Sequence, residues 1–265
     1  MAGIPLPLQR SFGQTTRRDR WWVAPALVFA GLSSFIVYAT WAAFQGAHYH
    51  YGPYLSPFYS PEIFGNSQHA VFGPPPGWWP SFLPFSPAML ILWAPGGFRF
   101  TCYYYRGAYY KAFWGDPPAC AVGEPRNKYL GEHSFPLIFQ NIHRYFLYLA
   151  VAFIFMLSYD VFLAFFRWPD GHGHTFGIGV GSLVMMLNVG LIASYTFGCH
   201  SMRHLIGGKK DQLPKHVVGK TCYDCVSGLN KKHMFFAWCS LFSVGLTDLY
   251  IRLCSMGVIT DFRIL

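Results

Sequence analysis

The chain has 265 residues, of which 53% are hydrophobic and 20% aromatic, and only 12% are charged, against ~25% in soluble domains. That composition excludes an ordinary soluble globular protein and indicates a membrane protein. A formal net charge of +9 would suggest nucleic acid in a soluble chain, but here basic loops beside anionic headgroups account for it, so no nucleic-acid partner is expected.

In chain order, residues 1–21 form a basic cytoplasmic tail carrying Arg10, Arg17, Arg18 and Arg20. It runs into Trp21 and Trp22, the aromatics that favour a membrane interface. Residues 22–265 read as a single all-α membrane domain of five transmembrane helices, over about 22–44, 79–102, 139–166, 176–204 and 233–257. Each has roughly the 20 apolar residues that a bilayer core demands. The second span holds Pro80, Pro84, Pro87 and Pro95, so it is expected to kink, and four spans is the fallback.

The first connection is rich in Pro, Tyr and Phe and lacks Lys and Arg. It is expected to be external and to fold back over the helix ends, where its aromatic surface is covered. Its His48, His50 and His69 read as hydrogen-bonded loop residues. After the second span, TCYYYRGAYYKAFW interleaves tyrosines with Arg106 and Lys111, a pattern suited to an interfacial helix. A sharper reading makes Tyr103, Arg106 and Tyr110 the residues that position a quinone, since a flat ring with two acceptors needs an aromatic pocket and a few donors.

The third span opens with QNIHRYF, and His143, a turn inside it, must find a partner or a metal. The fifth carries Asp248 and Arg252, with Asp160 at similar depth in the third. Charges at such depth require pairing, so an ion pair linking the third and fifth helices is expected. The basic residues Arg99, Arg106, Lys111, Arg126 and Lys128, together with Arg203, Lys209, Lys210, Lys215, Lys220, Lys231 and Lys232, lie in the connections on the same side as the tail. The positive-inside rule then places the N-terminus in the cytoplasm and makes the chain a multi-pass plasma-membrane protein.

The connection between the fourth and fifth spans, FGCHSMRHLIGGKKDQLPKHVVGKTCYDCVSGLNKKH, is the richest in chemistry. His200 and His204 share a face if the helix continues through them, and Cys222 with Cys225 is the C-x-x-C spacing that lets two thiolates grip one metal. The topology gathers Cys102, Cys120, His133, His143, Cys199, His200, His204, Cys222, Cys225 and His233 on the cytoplasmic side. A reducing compartment gives these cysteines no disulfide role, which leaves metal ligation or burial. The candidate ligands are Cys222, Cys225, His143, His204, His200, His233, Cys120 and Cys199. Structural zinc, a haem b between facing histidines and a Rieske-type [2Fe-2S] cluster all remain open, although mixed Cys and His supply favours zinc or the cluster.

QNIHRYF, FGCHSMRHLIGG, the C-x-x-C, HMFFAWCSLFSVGLTDLYIRL and TCYYYRGAYYKAFW, taken together, resemble the five-helix membrane anchor of an actinobacterial, mycobacterial-type succinate dehydrogenase. The resemblance implies docking of a flavoprotein and an iron-sulfur subunit on the cytoplasmic face, and transfer of electrons from succinate to membrane quinone. It also implies a Rieske-type [2Fe-2S] cluster within the membrane domain, with its ligands drawn from the Cys/His set. The dicarboxylate chemistry would belong to a partner, so no catalytic residue for it is expected here. The alternatives are a haem b anchor of the same complex and a non-redox scaffold with a zinc-stapled loop. A transporter is disfavoured because the polar groups cluster at one face.

Overall fold

Four helices are long and apolar enough to cross a bilayer in the computed structural model, which describes residues 11–80, 82, 84–126, 134–135, 137–169, 174–207 and 217–265. They are α1 (Val23–Gln45), α5 (His143–Phe166), α6 (Val180–Phe197) and α9 (His233–Ser255). His133 and the basic residues Arg10, Lys128, Lys209, Lys210 and Lys215 lie outside the described residues.

The expected span over 79–102 is not a fifth such helix. Helix starts only at α2 (Pro87–Ile91), where Pro87 at the first position gives up an N–H that has no partner in any helix. After Leu92 it resumes as α3 (Trp93–Phe100). The two together rise about 21 Å, short of the ~30 Å hydrocarbon core. Short elements follow: α4 (Tyr103–Tyr109), a π-helical turn at Tyr110–Trp114, and a 3-10 turn at Leu137–Ile142 that leads into α5. Two small antiparallel hairpins, β1 (His50–Tyr51) with β2 (Tyr54–Leu55) and β3 (Trp168–Pro169) with β4 (His174–Thr175), lie in the connections after α1 and α5.

The fourth helix also ends earlier than expected, at Phe197. Gly198 donates to the Ser194 carbonyl, its own carbonyl accepts from Asn230 at 2.8 Å, and a Cβ on it would stand 3.2 Å from the Leu229 backbone. That close approach breaks the helix. The chain restarts as α7 (His200–Ile206), capped by Cys199, and the C-x-x-C lies in a separate helix, α8 (Val217–Lys231).

The chain divides into two compact units. The first joins Met1–Ile36 with Arg99–Ile142. In it Thr15 bridges to Val122, and Phe29 meets Phe113 at a centroid distance of 4.7 Å. The second joins Val37–Phe98 with His143–Leu265. Here α6 packs on α5 and α9 around a core of Tyr54, Ala164, Met185 and Ile251. Gly181 is required by this packing, because a Cβ there would run into the Tyr54 ring.

The second unit also settles the buried charges. Asp248 is fully buried and pairs with Arg252 one turn on in α9, at 3.2 Å. Its oxygens accept from Tyr38 at 2.6 Å and from Ser56, while Arg252 donates to the Ala47 carbonyl at 2.8 Å. The expected bridge between the third and fifth helices does not form. Asp160 accepts instead from Ser60, since Asp248 already neutralises Arg252 within one helix.

Candidate functional site

The first turn of α5 places His143 inside the second unit, where it is 8% exposed. Its ring lies flat on Phe98, with centroids 4.7 Å apart and planes at 10°. That stack fixes the ring plane and aims Nε2 at the Sγ of Cys199, 3.0 Å away. The break at Gly198 sets Cys199 in this place, as the residue capping α7, with its sulfur accepting from the Ser201 amide. The thiol is 2% exposed. Tyr195 closes the side, edge-on to Phe98 at 5.6 Å, and stacks on the His233 ring at 4.9 Å. His233, first residue of α9, and His200 are both close enough to act electrostatically on His143.

An imidazole and a thiol in a shielded pocket form a soft donor pair. Such a pair binds zinc or iron when the thiol ionises. Among the described residues no three His, Cys, Asp or Glu side chains already converge on one metal position. The other sequence candidates sit elsewhere. His200 and His204 share a face of α7 but are exposed, Cys222 and Cys225 are exposed on α8, and Cys120 is exposed in the first unit. Beside α8, Arg203 donates to Ser227 at 3.1 Å and lies over Tyr223, so the buried side of α8 carries these residues and not the cysteines. Cys102 is 2% exposed in the first unit.

The aromatic helix α4 belongs to the first unit. The Arg106 guanidinium lies 4.3 Å above the Tyr103 ring, which is half-exposed. Tyr110 opens the π turn and meets Trp114 edge-on at 4.6 Å. Behind this surface, Tyr105 is buried and accepts from Arg99 at 2.9 Å, while Tyr109 accepts from Gln140 at 3.0 Å. Burial pushes both phenols up to about 12, so they act as neutral hydroxyls near pH 7. Tyr103, Arg106 and Tyr110 thus stand on one short helical segment above a hydrogen-bonded base.

Sequence reading assigned no positioning role to Phe98, Tyr195, Arg99 and Gln140, the residues that hold these groups in place. None belongs to a spacing motif; ring stacking reveals Phe98 and Tyr195, and hydrogen bonds reveal Arg99 and Gln140.

Residues 23–257 match the family of the actinobacterial succinate dehydrogenase subunit SdhC. Among solved structures, a chain of the Mycobacterium smegmatis Sdh1 complex in the apo form is similar over 99% of each chain, with 44% identity and a TM-score of 0.86. No curated protein matches the sequence.

Proposed function

Since this chain belongs to the actinobacterial succinate dehydrogenase SdhC family, and is a membrane-anchor subunit of that complex, we propose that it passes electrons from its partner subunits to membrane quinone through a buried metal centre. The observation that carries the reading is the contact of His143 with Cys199, imidazole to sulfur at 3.0 Å and both buried. Mixed thiolate and imidazole donors are the set that a Rieske-type [2Fe-2S] cluster requires. Such a cluster takes two thiolates on one iron and two imidazoles on the other, and His143, His233 and Cys199 would supply three of those four donors. When bound, such a cluster supplies a one-electron relay.

The chain's own residues set the conditions for that relay. Phe98 fixes the His143 ring, and the pocket excludes water, which limits the reorganisation that accompanies each electron. Haem b would call for a second histidine facing His143, whereas its Nε2 faces a sulfur. A zinc staple at Cys222 and Cys225 lacks support for a different reason: both thiols are exposed.

On the quinone side, Arg106 would donate to a carbonyl oxygen while Tyr103 and Tyr110 flank the ring; a cation there favours the charge that reduction places on oxygen. The positive-inside pattern supports a cytoplasmic N-terminus, and the basic connections suit docking of acidic surfaces on the flavoprotein and iron-sulfur subunits. The test is to substitute His143→Ala and Cys199→Ser in the whole complex. Iron in this subunit and succinate:quinone activity should fall together, while succinate oxidation by a soluble dye acceptor at the partner subunits persists. Stoichiometric zinc without iron would leave the chain as an anchor alone.

A further inference from the structure

Cys222 and Cys225 stand on α8, outside both the metal centre and the Arg106 surface. One face of α8 lies against its neighbours: Val226 is buried, Ser227 accepts from Arg203 at 3.1 Å, and the Arg203 guanidinium lies 5.2 Å from the Tyr223 ring. Both cysteines are free and exposed on the other side. They are three residues apart, so at about 100° per residue their directions differ by only ~60° and they share a face. Val218, four residues before Cys222 and 75% exposed, continues that face at one end, and Leu229, four after Cys225, at the other. The nearest carboxylate in sequence, Asp224, points about 100° or more away from either thiol. Two soft donors are thus presented side by side, with no hard oxygen ligand from their own face.

The spacing decides which chemistry this pair can do. Helical residues three apart hold their Cβ atoms about 5–6 Å from one another, wider than the roughly 3.5–4.5 Å of a disulfide. A direct S–S bond would therefore distort α8. An ion between the sulfurs spans the gap, since two metal–thiolate bonds of about 2.3 Å set the sulfurs up to ~4.6 Å apart. Zinc and iron–sulfur clusters call for four protein donors, and α8 brings two. Cu(I) is soft, selects thiolates, and is satisfied by two sulfurs in line. Exposure, which weighs against a closed structural zinc, suits an ion that is taken up and given back.

We infer that Cys222 and Cys225 form an exchangeable Cu(I) site on the outer face of α8. Each ion bound displaces the two thiol protons, and the copper keeps its oxidation state. The site is independent of the metal centre and of the Arg106 surface, so its failure would leave both untouched. Anaerobic titration of the purified complex with Cu(I), buffered by a bicinchoninate chelator, tests it. The wild type should retain one copper more per complex than either Cys222→Ser or Cys225→Ser, and X-ray absorption at the copper edge should show two sulfur neighbours alone. Both variants change exposed side chains and should keep the iron content and succinate:quinone activity of the wild type. Adding Thr221→Cys to Cys222→Ser sets the thiols four apart on the same face, and should restore the lost copper. Equal copper in the wild type and both single variants would overturn the site by placing the ion elsewhere. A nitrogen or oxygen neighbour at the copper, or a Cys222–Cys225 disulfide in the purified complex, would overturn it as well.

Discussion

Two buried polar clusters in the second unit, one around Asp248 and one around His143, face the same problem of polar atoms in an apolar setting and answer it differently. Asp248 meets a full positive charge on Arg252, and hydroxyls from Tyr38 and Ser56 complete its shell. Charge is balanced by charge, and the network ties α1, the first loop and α9 together. His143 and Cys199 bring together two soft donors that are neutral as an imidazole and a thiol, held by aromatic stacking. Neither needs the other for neutrality. The contrast separates a polar network that serves the fold from one suited to chemistry.

Substitutions should break that comparison in opposite directions. Asp248→Ala leaves Arg252 buried and unpaired, so a loss of about 3–5 kcal/mol is expected. Thermal melting of the purified complex would report it, with iron content unchanged in the molecules that stay folded. His143→Ala should cost only about 1–2 kcal/mol, the value of one stacked ring and one hydrogen bond, yet remove the subunit's iron. If the melting loss followed His143 and the iron loss followed Asp248, the assignment of roles would be reversed.

Smaller effects sharpen the picture around α4. Arg106→Ala should raise KM for quinone about tenfold with kcat for dye reduction unchanged, as steady-state kinetics with the two acceptors would show. The Tyr105 phenol ionises near 10 when unfolded and about 12 when folded. The native state therefore holds its proton longer, and the stability it confers is intact below pH 10 and drains away as pH rises toward 12. Ultraviolet titration of the phenolate band should show this delayed ionisation, and Arg99→Met should move it further upward by removing the cation beside the ring. The smallest expected effect is at α8, where Cys222→Ser and Cys225→Ser should leave iron content and activity unchanged.

How legible these features were in the sequence follows from the range over which each is encoded. Helices α1, α5 and α9 were plain because each is a long uninterrupted apolar run. The 79–102 stretch misled because composition alone does not say that helix begins only at Pro87. The overshoot from Phe197 to His204 goes with a contact distant in sequence, the Leu229 backbone against Gly198, which no window on the sequence contains. Cys222 and Cys225 attracted notice through their spacing, but on α8 that spacing leaves both thiols exposed. His143 and Cys199 are 56 residues apart, so no motif connects them, although each had been singled out on chemical grounds. Asp160 was recognised as a costly charge, while its partner Ser60, a hundred residues earlier, was invisible until the fold placed it.

The most direct test is low-temperature electron paramagnetic resonance with metal analysis on the dithionite-reduced complex, comparing the wild type with His143→Ala and Cys222→Ser. The expected result is a two-iron signal of the histidine-ligated kind, beyond those of the partner subunits, that His143→Ala abolishes and Cys222→Ser preserves. A signal indifferent to His143→Ala, or zinc in place of iron, would contradict the account.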